Sequence, residues 1–373
     1  MKYIHQLEDW PDFTWDSDIL VPLLAEVRYK QGRLLGQLQG QGFRIHSLHE
    51  EASLVTLTEE VVKSSAIEGE KLDAEQVRSS IARHLGMDIG GTPKITRHID
   101  GIVEMMLDAT RNHDDPLTAD RLFGWHAAMF PTGRSGMRDI IVGAWRTPEA
   151  GPMQVVSGPM GREKVHFEAP DADLLPNEMA VFLDWFNGGT EMDPVLKAAL
   201  SHFWFVTIHP FEDGNGRIAR AIAEMALARA DGSSERFYSM SSQIESERDN
   251  YYECLKQSQR LNLDITRWLK WFLECLGRCI EGAGETLANV LRKARIWEQA
   301  NAVSINERQR IIITRLLDNF EGHMNTSKYA KMANCSPDTA LRDIRELLEL
   351  DILVQNPGGG RSTSYRLREP DES

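Results

Sequence analysis

The chain has 373 residues, 42% of them hydrophobic, which is room for two or three domains with real cores. Its formal net charge of -14 excludes nonspecific binding to nucleic acid or anionic membrane by the chain as a whole; any such contact needs a local basic patch. Cys254, Cys275, Cys279 and Cys335 form no CxxC pair and read as buried thiols of a reducing compartment. The opening MKYIHQLEDWPDF has no apolar signal core, and no apolar run reaches membrane-spanning length. The expectation is a soluble cytoplasmic protein.

Most of the chain has helical periodicity. Apolar residues three and four apart predict helices over 19–39, 52–67, 74–85 and 99–109. Residues 116–129 follow, with Thr118 placed as an N-cap ahead of Leu122. The pattern breaks over 131–170, which is dense in Gly and Pro. Two strand-like runs there, 153–156 and 164–167, flank a turn at 157–161 and predict a β-hairpin. Helices resume at 178–186, 194–207, 217–230, 247–258, 266–284 and 286–299. Beyond 300, a helix over 305–320 precedes two short ones, TSKYAKMAN and SPDTALRDIRELLELD, the latter with Ser336 as N-cap. The tail ILVQNPGGGRSTSYRL reads as two strands around a glycine-rich turn, so 300–373 has the winged-helix order. The fold class is mainly α, with one hairpin in the core and a C-terminal winged-helix domain.

The densest chemistry lies in HPFEDGNGRIAR, from His209 to Arg220. The apolar helix before it ends at His209, and a new helix begins near Arg217. The turn between them therefore presents a helix N-terminus, with unpaired N–H groups and a dipole that favours anions. Gly214 and Gly216 let the backbone bend into an anion nest, and Asn215 offers an amide donor. Arg217 and Arg220, three apart, can each take a phosphate group. Asp213 is placed to hold a Mg2+ that bridges phosphates. His209, expected to titrate near neutrality, can take a proton from a hydroxyl nucleophile. A Gly-Asn-Gly turn alone is only a turn, and a histidine at a helix end is usually structural. The conjunction describes a phosphate cradle with a general base beside it.

This stretch resembles the Fic family signature, His-Pro-Phe-x-Asp/Glu-Gly-Asn-Gly-Arg-x-x-Arg, at every defined position. The resemblance implies transfer of AMP from ATP to a Ser, Thr or Tyr hydroxyl of a target protein, with release of pyrophosphate. It implies His209 as the base, Asp213 as the Mg2+ ligand, Gly214, Asn215 and Gly216 as the anion hole, and Arg217 and Arg220 on the phosphates, with Arg220 toward the γ-phosphate. It makes the 131–170 hairpin a flap that aligns the target by strand addition. In YYECLKQSQ, Tyr252 and Gln259 are the implied contacts at the adenine pocket. Relatives that phosphorylate depart at the second glycine of the motif; Gly216 is intact, which favours AMP transfer. The implied domains are a helical region 1–95, a catalytic core 96–299 and the winged helix 300–373.

SSAIEGE, Ser64 to Glu70, admits two readings. One is a helix end capped by Gly69. The other is a resemblance to the inhibitory Ser/Thr-x-x-x-Glu-Gly/Asn helix of Fic proteins, at Ser64, Glu68 and Gly69. By that resemblance Glu68 pairs with Arg220, takes the place of the γ-phosphate and misaligns ATP. The resemblance equally allows Glu68 to position a water for removal of AMP. Residues 301–373 carry ten Lys and Arg against eleven Asp and Glu, a net of -1. That balance favours target binding or dimerisation over DNA binding, although Arg342, Arg345 and Arg361 can form a local patch. The leading expectation is an autoinhibited, Mg2+- and ATP-dependent adenylyltransferase acting on a target protein or on itself; homodimers are common in such proteins. The alternative is a DNA-binding transcription regulator with a nucleotide-sensing Fic core.

Overall fold

The computed structural model describes residues 2–40, 46–87, 93–157, 164–189, 191–260, 262–317, 320, 322–357 and 363–369. Five helices come first: α1 Ser17–Gly40, α2 His46–Ile67, α3 Ala74–Leu85, α4 Arg97–Arg111 and α5 Ala119–Met129. Their starts are set by side-chain caps. Asp73 accepts from Glu75 N and Gln76 N, Thr96 from Ile99 N, and the predicted Thr118 from Arg121 N. Gly101 fixes how α4 meets α5: a Cβ there would lie 1.8 Å from Ala128 O.

Two hairpins follow, β1 Arg134–Ser135 with β2 Arg138–Asp139, and β3 Gln154–Ser157 with β4 Lys164–Glu168, both antiparallel. The second is the predicted one, and its turn residues 158–161 lie outside the described residues. The first was not predicted: two-residue strands carry no readable alternation. Next come α6 Leu175–Asn187, α7 Pro194–Ile208, α8 Asn215–Asp231, α9 Met240–Ser246, α10 Arg248–Ser258 and α11 Thr266–Asn301. Helix α9 also escapes the periodicity, because seven residues make barely two turns. The sequence predicts two helices where α11 is one of 36 residues.

The centre is the pair α7 and α8. Helix α7 is apolar all round, and from Val195 to Ile208 every residue but Lys197 is buried. Phe203, Phe205 and Trp204 pack there against Trp268, Phe182 and Phe13, each ring worth about 1.5–3 kcal/mol of burial. Helix α2 lies against α8 and α9, so the 1–95 region is part of the same body as the core.

The chain divides into two compact units, Met1–Gly284 and Glu285–Ser373, the division falling within α11. The second unit contains the end of α11, then α12 Glu307–Leu317, α13 Thr326–Met332, α14 Pro337–Glu349, and the antiparallel strands β5 Leu353–Gln355 and β6 Tyr365–Leu367. Met324 bridges Tyr365 at the side of this hairpin. Ile312, Tyr329, Ala340, Ile344 and Leu353 form its own core. The glycine-rich turn and Arg361 lie outside the described residues.

Candidate active site

Helix α7 ends at His209, which adopts φ 52 and ψ 58, left-handed for a residue with a Cβ. Its N–H still bonds to Phe205 O at 3.0 Å, while the side chain turns off the helix end. Nδ1 stands 3.2 Å from Val206 O. A carbonyl only accepts, so Nδ1 carries the proton and Nε2 the lone pair. Burial drives the imidazole pKa down to about 4, and the Arg146 cation adds to that; the Val206 bond and the Glu68 and Asp213 carboxylates oppose it. The near-neutral value expected from the sequence is corrected: desolvation outweighs the nearby carboxylates, and His209 is a neutral base at physiological pH.

The turn after His209 folds around Phe211, which is fully buried and stacked on His126 at 4.2 Å with planes 8° apart. Asn215 holds the turn closed: its Oδ1 accepts from Phe211 N at 2.9 Å, and its Nδ2 donates to Phe211 O at 2.8 Å. Its amide thus serves the loop first, through one N–H and the carbonyl oxygen. Gly214, at φ 81, is the N-cap of α8, whose first residue, Asn215, lies two residues earlier than the predicted helix start. The Gly214 N–H is taken by Asp213 Oδ1, so the outward N–H groups that the start of α8 can offer an anion are those of Asn215, Gly216 and Arg217.

Both signature arginines carry a carboxylate. Arg220, 2% exposed, donates Nε to Ser64 Oγ at 2.9 Å and Nη2 to Ser64 O at 2.8 Å. The same Nη2 lies 2.8 Å from Glu68 Oε1. That oxygen sits over Gly216, where a Cβ would come within 2.0 Å of it. The glycine therefore makes room for an acidic oxygen. Arg217 donates Nη1 to Glu70 Oε2 at 2.7 Å, with its guanidinium 5.2 Å over the Phe130 ring. His98 backs this second pair: Nε2 is 2.6 Å from Glu70 Oε1 and Nδ1 is 2.7 Å from Met129 O. Both ring nitrogens face acceptors, an arrangement that the protonated ring satisfies with two donors. The Glu70 hydrogen bond raises the His98 pKa and the His98 bond lowers that of Glu70. Glu70 and His98 were missed from sequence; the signal was a second acid two residues past Glu68. Arg217 Nε and Arg220 Nη1 are buried without a partner, which is spare capacity for phosphate oxygens.

The SSAIEGE turn is a helix end capped by Gly69, and its Glu68 meets Arg220. Helix α2 ends at Ile67, and Gly69, at φ 84, turns the chain, with Glu70 N bonded back to Ser65 O at 3.0 Å. The cap is what aims Glu68 and Glu70 at α8. Tyr252 reaches this turn, its hydroxyl 3.2 Å from Ile67 O and 3.4 Å from Glu68 Oε2. Gln259 is buried, its amide donating to Thr207 Oγ1 at 3.1 Å, and so is turned into the α7 helix end. Asp213 Oδ1 accepts from Gly214 N at 2.6 Å, and Oδ2 accepts from the Ser135 hydroxyl. A single carboxylate at the mouth of a phosphate cradle suits Mg2+, a hard ion that takes few protein oxygens and completes its shell with water and phosphate.

Residues 116–227 match the Fic/DOC family. The chain carries a Fic/DOC domain. Residues 3–87, ahead of the Fic domain, match a domain of unknown function, DUF4172. The chain is 34% identical over 114 residues to the protein adenylyltransferase Fic of Nematostella vectensis, covering 30% of this chain and 25% of that protein. It is 24% identical over 266 residues to the protein adenylyltransferase Fic of Drosophila willistoni, covering 67% and 47%. The chain thus spans less than half the length of these relatives. A Fic family protein from Desulfovibrio desulfuricans shares the fold over 97% of this chain and 99% of its own, with TM-score 0.56 and 20% identity. A Fic-domain signaling protein from Bacteroides thetaiotaomicron covers 72% and 98%, with TM-score 0.51 and 21% identity. Among the described residues, no helix is long and apolar enough to cross a membrane.

Proposed function

We propose that the chain is a protein adenylyltransferase, moving AMP from ATP to a Ser, Thr or Tyr hydroxyl, and that Glu68 holds it in check. The observation that supports this most is the pair of buried arginines beside a neutral His209. In this reading the phosphates of ATP lie on the N-terminus of α8, along Gly214–Gly216, with Arg217 and Arg220 on the charged oxygens. His209 Nε2 accepts the proton of the target hydroxyl. The hydroxyl oxygen bonds to the α-phosphorus, the bond to the β-phosphate bridging oxygen breaks, and pyrophosphate leaves. Asp213, held by Gly214 N and Ser135, would hold Mg2+, which neutralises phosphate charge when bound. Glu68 occupies the Arg220 guanidinium that a γ-phosphate needs, so ATP is displaced. A displacement of about 1 Å can cost on the order of 10²-fold in rate. Glu70 adds a second carboxylate, on Arg217.

We read the second unit as a winged helix that recognises the target or a second copy. Asp343, fully buried on α14, is consumed internally by Arg308 at 2.8 Å and by Tyr329 at 3.3 Å. Arg342 and Arg345 are exposed on that helix, but acids are interleaved with them. Wild type, Glu68→Gly and Glu68→Gly/His209→Ala are incubated with labelled ATP and Mg2+, and protein-bound AMP is read by intact mass. Label in Glu68→Gly that disappears with His209 supports the transferase. ATP binding without label in any variant, and a gel shift by the chain with DNA, would replace it with the nucleotide-sensing regulator.

A further inference from the structure

The segment of residues 140–146, IIVGAWR, runs alongside the His209–Asp213 turn, and it touches it at successive points. Ile141 N donates to the Glu212 carboxylate at 3.1 Å. Gly143 N donates to His126 Nδ1 at 3.2 Å; the other nitrogen, Nε2, therefore carries the proton and donates to Asp213 O at 3.2 Å. The Trp145 ring packs against Phe211 with centroids 5.1 Å apart and planes tilted by 49°. Arg146 closes the series. Its N–H donates to Pro210 O at 2.9 Å, its Nε donates to His209 O at 2.9 Å, and its Nη2 donates to Pro170 O. Pro170 lies two residues past β4, at the foot of the flap hairpin, where Ala169 N bonds to Met153 O.

Arg146 is 4% exposed, so a full guanidinium has been buried to satisfy two backbone carbonyls, His209 O and Pro170 O. Burial of a charge for that purpose is costly unless its hydrogen bonds hold something in place. What they hold is the carbonyl of a residue in the left-handed region, which a residue with a Cβ enters only under constraint. We propose that Arg146 is the positioning residue for His209: its fork ties the base's own carbonyl to the foot of the flap, so base and flap keep one geometry. This rests on His209 being the base. The charged groups facing that imidazole are Arg146, Glu68 and Asp213. Arg146 acts on it in the direction opposite to the two carboxylates, so loss of the cation raises the imidazole's titration midpoint.

The test uses the full chain in a Glu68→Gly background, comparing the parent with Arg146→Gln and Arg146→Lys. Arg146→Gln is expected to lower kcat by about tenfold or more while KM for ATP stays within about twofold, as loss of orientation rather than of binding predicts. The His209 midpoint, followed by NMR of the nucleotide-free protein, moves up. Arg146→Lys keeps the charge and loses the fork, so it keeps the midpoint and recovers only part of kcat. Parent-like kcat in Arg146→Gln, or a loss confined to KM with an unmoved midpoint, overturns the proposal. Should Arg146→Gln not fold, Arg146→Lys decides by the same kcat reading. Absence of AMP transfer in the parent would instead overturn the adenylyltransferase reading, and the midpoint alone would then decide whether Arg146 acts on His209.

Discussion

Arg220 and Arg217 stand three residues apart on one helix, and each is held by a carboxylate from one turn, yet the two holds differ in kind. At Arg220 the arginine is buried, Ser64 takes two of its donors, and Glu68 lies over the Cβ-less Gly216. At Arg217 the arginine is buried too, and the acid, 34% exposed against 31% for Glu68, is shared by a titratable partner, His98. The first hold is steric and electrostatic at once. The second depends on a proton. One turn thus presents two carboxylates to the α8 arginines, of which the Glu68 contact is the deeper.

The largest expected effect separates them at once. Glu68→Gly should raise AMP transfer on the order of 10²-fold, since a small misplacement of the α-phosphate costs that much; initial rates of label incorporation read it. In that released background Gly216→Ala should lose about tenfold or more, because the methyl enters the space of an anion oxygen. An unchanged rate would mean that no phosphate oxygen lies over Gly216. Glu70→Gln alone should raise the rate by about fivefold, the scale of a partly exposed ion pair. If it instead matches Glu68→Gly, the ranking of the two holds is reversed.

The smallest effect is a pH dependence. The raised His98 pKa means its contribution is complete below 6.5 and fades as pH rises through the raised value. The lowered Glu70 pKa means its contribution is complete above 4.5 and fades as pH falls through the lowered value. Between those limits the hold on Arg217 is strongest. The rate ratio of Glu70→Gln to wild type should therefore fall by about two- to threefold as pH rises well past 7, and the ratio for Glu68→Gly should not follow it.

What could be read from the sequence was what is local in it. His209 to Arg220 lies in one turn and one helix start, so spacing alone places base, nest and cations together. Glu68 was legible through the family resemblance of Ser64, Glu68 and Gly69; spacing alone reads only a helix end capped by Gly69. His98 was not: it reaches Glu70 across 28 residues, from a helix whose periodicity says only which face is buried. The 140–146 segment was hidden for another reason. It has no period, and its contacts to the signature turn are mostly made by backbone groups, which leave no mark in residue type. Tyr252 and Gln259 came from a resemblance; Tyr252 lies against the SSAIEGE turn, whereas Gln259 faces Thr207, because spacing on α10 gives the face but not the partner. The long helix α11 was split in two after Gly284, a glycine whose cost of about 1 kcal/mol the surrounding helix absorbs.

The central claim is that Glu68 stands where the γ-phosphate of ATP belongs. Calorimetric titration of ATP and of ADP, with Mg2+, into wild type and Glu68→Gly tests it directly. Wild type should bind the two nucleotides alike, and Glu68→Gly should prefer ATP by about tenfold or more, the scale of one freed guanidinium on a phosphate. A wild type that already prefers ATP as strongly as Glu68→Gly does would contradict the claim, since Arg220 would then be open to the γ-phosphate with Glu68 in place.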